Sequence, residues 1–151
     1  MHMKPRVAAL LAMSAIVMAC DTNPFDAAQV PRITITPVVA LPLVVIAYEP
    51  QGAALIRVYK GTAAGQGYGE DLWWSVAATS GNSLPNRIEY GTTVFPGGAV
   101  DVAAKPLVLG QPYTVQVSRM DPKGKGDGFT NTGNRYVNTQ TFTLASITPR
   151  P

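Results

Sequence analysis

Pro106-Leu107-Val108-Leu109-Gly110-Gln111-Pro112-Tyr113-Thr114-Val115-Gln116-Val117-Ser118-Arg119 is the stretch whose reading decides the fold. From Tyr113 onward, apolar Tyr113, Val115 and Val117 alternate with polar Thr114, Gln116 and Ser118. Period two sends successive side chains to opposite faces, so this is a strand with one buried side. Gly110 and Pro112 in front of it supply the turn that starts it.

The same period recurs outward from that strand. Arg32 to Thr36 alternates between Pro31 and Pro37, which suits a short edge strand. Val38 to Tyr48 is interrupted by Pro42 and stopped by Pro50, leaving Leu43 to Tyr48 as a buried central strand. Ala54 to Lys60 alternates with Ile56 and Val58 on the inward side, and Leu72 to Ala78 forms the next strand. Asn86 to Tyr90 and Ala99 to Ala103 are shorter candidates, and Tyr136 to Leu144 is a Thr-rich last strand with one wet face. Gly61 to Gly69 reads as a loop between strands; it lacks the Gly-Lys-Ser/Thr ending and the following helix that a phosphate cradle needs. With 14 Gly, 13 Pro and only 14% charged residues, and no long run of helix formers, the chain reads as an all-β antiparallel sandwich of seven to eight strands.

Leu107, a turn, and Tyr113 six residues later resemble the tyrosine corner of fibronectin type III and related immunoglobulin-like domains. Leu109 and Gln111 stand where that family usually has proline and threonine. The resemblance implies a fibronectin type III-like β-sandwich over residues 31–145, with Leu107 and Tyr113 as the structural corner and the Tyr113 hydroxyl bonded back to upstream backbone, pinning the crossover between the sheets.

Ahead of that domain, Lys4 and Arg6 precede Val7 to Met18, an apolar run broken only by Ser14. It fits a signal-peptide core and is too short for a span of roughly 30 Å of hydrocarbon. Val17-Met18-Ala19-Cys20 resembles the lipobox of bacterial lipoproteins. That resemblance implies an N-terminal signal helix over 1–19 removed before Cys20, lipid on the Cys20 sulfur, and an envelope location, in either membrane, facing the periplasm or the surface. Residues 20–30, without strand or helix period, read as a lipidated tether, and residues 146–151 as a disordered tail.

Cleavage would strip the chain of chemistry. His2 is the sole histidine and lies in the leader, and Cys20 is the sole cysteine. The remaining 132 residues, enough for one ordinary domain, thus offer neither imidazole nor free thiol. That removes Ser/His and Cys/His catalysis and His- or thiolate-bound metals and leaves carboxylate chemistry alone; with no paired carboxylate motif to support a hydrolase, no cofactor and no catalytic residue is expected. Lys4 and Arg6 leave with the leader while all nine Asp and Glu stay, so the formal charge of +3 falls to +1. Nucleic acid is therefore not an expected partner. Asp121 to Gly128 lacks the ligand ladder of a calcium loop, and the carboxylates Glu49, Glu70, Asp71, Glu89, Asp101, Asp121 and Asp127 read as scattered solvated charges.

Trp73 and Trp74 are adjacent on a strand, and alternation would turn one inward and the other outward. An outward indole, with Tyr68 in the nearby glycine-rich loop, is a candidate contact for a protein partner or a stacking platform for a glycan. The expectation for function is a non-enzymatic, membrane-anchored envelope module that binds another envelope protein or packs into a surface assembly, with carbohydrate binding as the alternative.

Overall fold

The computed structural model of the protein describes residues 25–38, 42–65, 67–122 and 136–145. The signal segment, Cys20, the tether as far as residue 24, the loop 123–135 and the tail 146–151 lie outside the described residues.

Among the described residues eight strands form two antiparallel sheets: β1 Arg32–Pro37, β2 Val44–Glu49, β3 Leu55–Lys60, β4 Leu72–Ala78, β5 Arg87–Glu89, β6 Gly98–Val102, β7 Pro112–Arg119 and β8 Tyr136–Thr143. The smaller sheet has the order β1-β2-β5 and the larger β6-β4-β3-β7-β8. The all-β sandwich expected from the alternating pattern is therefore present, with strand ends within one or two residues of those read from sequence. The described residues contain no helix long and apolar enough to cross a membrane.

The inward sides meet as that alternation dictates. Val44, Ile46 and Tyr48 of β2 face Ile56 and Val58 of β3, Trp74 and Val76 of β4, and Tyr113, Val115 and Val117 of β7, all of them buried. In β7 the registers Val58↔Val115 and Ile56↔Val117 put these residues on one side of the sheet. A buried side chain of this size contributes about 1.5–3 kcal/mol over its exposed state, which is what fixes the register.

β7 sets the long axis, about 26 Å for eight residues. At its Arg119 end lies the near pole, where the chain enters the domain. Here residues 25–30 depart from the free tether expected of them. Phe25 packs on Tyr136 with ring centroids 5.2 Å apart. The Asp26 amide donates to the Tyr136 hydroxyl at 3.2 Å, and the Asp26 carboxylate caps a single 3-10 turn, Ala27–Gln29, by accepting from the Ala28 amide. Arg119, 5% exposed, donates to the Pro50, Gln51 and Gly52 carbonyls and to Gln29 Oε1. All these partners except Ala28 are distant in sequence, so no local period announced them. The far pole, at the Pro112 end, gathers Lys60, Gly61, Trp73, Lys105 and the 107–111 turn, with Gly61 N–H donating to the Pro112 carbonyl at 2.8 Å.

Candidate interaction site

The far pole is built around a β-bulge. β3 and β4 pair as Val58↔Trp74 and then Tyr59↔Leu72, so Trp73 has no partner across the ladder and strict alternation ends there. Trp74 enters the core fully buried, its ring edge-on to Tyr90 at 5.2 Å. Trp73 does not turn to the outer face as alternation required. The bulge lays it half-buried against the end of the core, 6.1 Å from the Tyr113 ring. Its Nε1–H donates to the Pro106 carbonyl at 3.1 Å, and its own carbonyl accepts from the Lys105 amide at 3.1 Å.

Two lysines close over this indole. Lys105 Nζ lies 4.7 Å and Lys60 Nζ 5.3 Å from the ring centroid. Each such contact contributes about 0.5–1 kcal/mol at an exposed site and holds a cation at the rim. Beside them Val108 and Leu109 are more than half exposed on the turn that leads to β7. The far pole is thus an apolar tip with two lysines over its indole and the exposed Glu70 and Asp71 at the same end, where Lys60 N–H donates to the Asp71 carbonyl, suited to a partner that brings apolar surface and charge of both signs.

Tyr113 and Leu107 support this tip from below. Leu107 is buried, and the Tyr113 hydroxyl, inside a fully buried side chain, accepts from the Val108 amide at 2.9 Å. The Tyr113 ring stacks on Phe142 at 5.6 Å. The tyrosine therefore ties the 107–111 turn to β7 and β8.

Tyr68 belongs to a different surface, the outer face of the larger sheet. Its hydroxyl donates to Asp101 Oδ2 at 2.7 Å, and the Arg57 guanidinium sits 5.1 Å from its ring. Asp101 Oδ2 also accepts from Ser75 Oγ at 3.2 Å. The Asp101 carboxylate, by accepting this proton, pushes the Tyr68 hydroxyl above its ordinary range. Nothing in this group is shared with Trp73, so the two aromatics do not form one platform. In the glycine-rich loop that carries Tyr68, Gly65 lies on the buried Tyr59 ring, where a Cβ would come within 3.0 Å of Cδ1.

Among the described residues no three of His, Cys, Asp and Glu come together in a way that could hold a metal ion. Glu49 pairs with Arg32 at 2.8 Å, both side chains well exposed. Lys60, Lys105 and Arg119 are the functional or structural cations that the linear reading missed. The one signal for the first two was the Trp-Trp doublet itself, because two adjacent bulky apolar residues in an otherwise alternating strand leave one without a face. No protein-family model, curated protein or solved structure matches this chain.

Proposed function

We propose that the chain is a membrane-anchored envelope lipoprotein whose β-sandwich is a non-catalytic module for protein–protein interaction, and that the far pole is the surface it presents. The observation that carries this reading is polarity: the chain enters at the Phe25–Arg119 end, while the lysine-ringed Trp73 tip with Val108 and Leu109 lies at the opposite end. A lipid on Cys20 would place the near pole toward the bilayer and the tip away from it. The leader's charge, apolar run and small residue before Cys20 support that anchor.

A fibronectin type III-like, immunoglobulin-like sandwich is supported by two features. The orders β1-β2-β5 and β6-β4-β3-β7-β8 are compatible with reading β1-β2-β5 as A-B-E and β8-β7-β3 as G-F-C, with β4 beyond C in the manner of C′ and β6 as a further edge. The Tyr113 hydroxyl bonds to backbone just upstream, at Val108, as in a tyrosine corner.

A photo-crosslinking residue at Leu109, compared in envelope membranes with the same residue at exposed Gln51 on the near pole, tests the surface. A discrete adduct from position 109 and none from 51 is expected; equal adducts from both, or none from 109, would refute it. Cys20→Ser tests the anchor separately: labelling by a palmitate analogue should vanish, and persistent labelling would overturn it.

Glycan binding at Trp73 is the weaker alternative. Lys60 and Lys105 already lie over the ring and Nε1–H is bonded to Pro106, which leaves little indole to stack on a sugar. Tryptophan fluorescence unchanged on titration with envelope glycans would dispose of it.

A further inference from the structure

The two sheets have four edges, and three are guarded against further pairing. β1 begins after Pro31, ends on Pro37 and carries the Arg32–Glu49 pair. β5 has three residues, two of them charged, and β6 carries Asp101 and starts on a glycine pair. Prolines, charges and shortness are the usual means of blunting an edge. β8, YVNTQTFT, is eight residues long and has no proline, glycine or charge.

The open groups of β8 can be assigned. Leu144 O accepts from Gly110 N–H on the β7 side, and along an antiparallel ladder the backbone groups alternate direction. The even-numbered residues of β8 therefore face β7, and the N–H and C=O groups of Val137, Thr139, Thr141 and Thr143 face outward from the sheet edge. Two of these groups are met by neighbouring side-chain amides: Asn138 Oδ1 accepts from Thr139 N–H at 2.8 Å, and Gln140 Nε2 donates to Thr141 O at 3.3 Å. These amides occupy positions that the peptide groups of another strand would take. Asn138 Nδ2 also donates to the Pro31 carbonyl at 2.8 Å, which ties the start of β8 to the chain ahead of β1, while Thr139, Gln140, Thr141 and Thr143 are exposed.

We propose that β8 is a self-recognition edge, in which Thr139–Thr143 pair antiparallel with the same residues of a second copy about a two-fold axis through Thr141, joining two five-stranded sheets into one of ten. In that register Thr141 opposes Thr141 of the second copy, and Thr139 opposes Thr143. Every opposed pair on the outer face is threonine on threonine, a favourable cross-strand match with no like charges to separate. Three pairs that each exchange two bonds give roughly six backbone hydrogen bonds. One surface supplies both halves of the contact, as a two-fold interface requires. This inference is independent of the far pole and of Cys20.

The test uses the full chain carrying Cys20→Ser, so that an introduced thiol is the only one. Thr141→Cys places two thiols on the axis at a Cα separation of about 5.5 Å, inside the range a disulfide spans. Val94→Cys, 87% exposed on the loop between β5 and β6, is the control. Oxidation should give a disulfide-linked homodimer from position 141 well before position 94; equal rates, or capture of a different protein by position 141, would overturn the proposal. As a second arm, Thr139→Lys with Thr143→Lys, both at exposed positions, should weaken self-association by at least about tenfold, as should the double Glu variant. Equimolar mixing of the two should restore the dimer, and failure of mixing to do so would also overturn it.

Discussion

Replacing Tyr113 by phenylalanine removes one oxygen and leaves the ring where it stands, stacked on Phe142 and beside Trp73. What is lost is the bond from Val108 N–H to the hydroxyl at 2.9 Å. A typical net contribution is about 0.5–1.5 kcal/mol, with about 1–3 kcal/mol if the abandoned partner is left dry. The bond is only part-buried and Val108 lies on an exposed turn, so the lower range is expected. At a urea slope of about 2 kcal/mol/M, the expected loss moves the unfolding midpoint down by roughly 0.2–0.8 M with an unchanged slope. Native-state hydrogen exchange should quicken at Val108 to Gly110 while the core amides of β3 and β7 follow only the global change. A midpoint that does not move would refute the claim that the hydroxyl pins the turn. A loss above about 3 kcal/mol would refute it differently, by showing that the ring itself had been displaced.

Three further outcomes are expected. Tyr48 and Tyr90 are buried, with hydroxyls bonded to the Pro85 and Lys105 carbonyls, and burial pushes both far above the ordinary tyrosine range. Their contribution to stability is complete below the unfolded value near 10 and is lost as pH rises from there toward the folded values, by about 1.4 kcal/mol per pH unit for each group. Denaturant midpoints flat from pH 7 to 9 and falling above 10 would bear this out, and a midpoint level to pH 11.5 would not. Arg119→Met strips donors from the Pro50–Gly52 carbonyls and Gln29, so the chain should lose roughly 2–4 kcal/mol and residues 25–30 should become sensitive to protease; unchanged protection there would contradict the clamp. Gly97→Ala sets a Cβ 2.3 Å from the Ser83 carbonyl oxygen at φ +75°, whereas Gly67→Ala at φ +69° meets nothing within 4 Å. Both incur about 1–2 kcal/mol of backbone strain, and only the first should cost clearly more in thermal unfolding.

The strands were legible because one face of each meets the core and takes apolar residues, so period two survives in the sequence even in β7, whose other face is also largely buried but holds Thr114 and Ser118. Leu107 and Tyr113 stood out only through their resemblance to a tyrosine corner; the bond itself is local, with the hydroxyl reaching five residues back to Val108. Trp73 was misread because a bulge changes the parity of a strand, and parity is the whole content of an alternation argument. The lysines over it were missed because Lys60 and Lys105 come from elements 45 residues apart, joined only when β4 lies between them. Phe25 to Val30 carries no period, yet it is fixed by Tyr136 and Arg119, residues that meet it only once both sheets exist.

That docked segment changes how the domain would explore its surroundings. With a lipid on Cys20, ten residues of loose chain would allow an excursion of up to about 35 Å, but docking at Phe25 leaves five peptide steps and about 17 Å. Swept volume scales as the cube of reach, so the domain is confined to roughly an eighth of the space. A target held in the same membrane is met at a correspondingly higher effective concentration, and one standing farther off is not met at all. Arg119, by gripping Gln29, would with that anchor set the length of the leash.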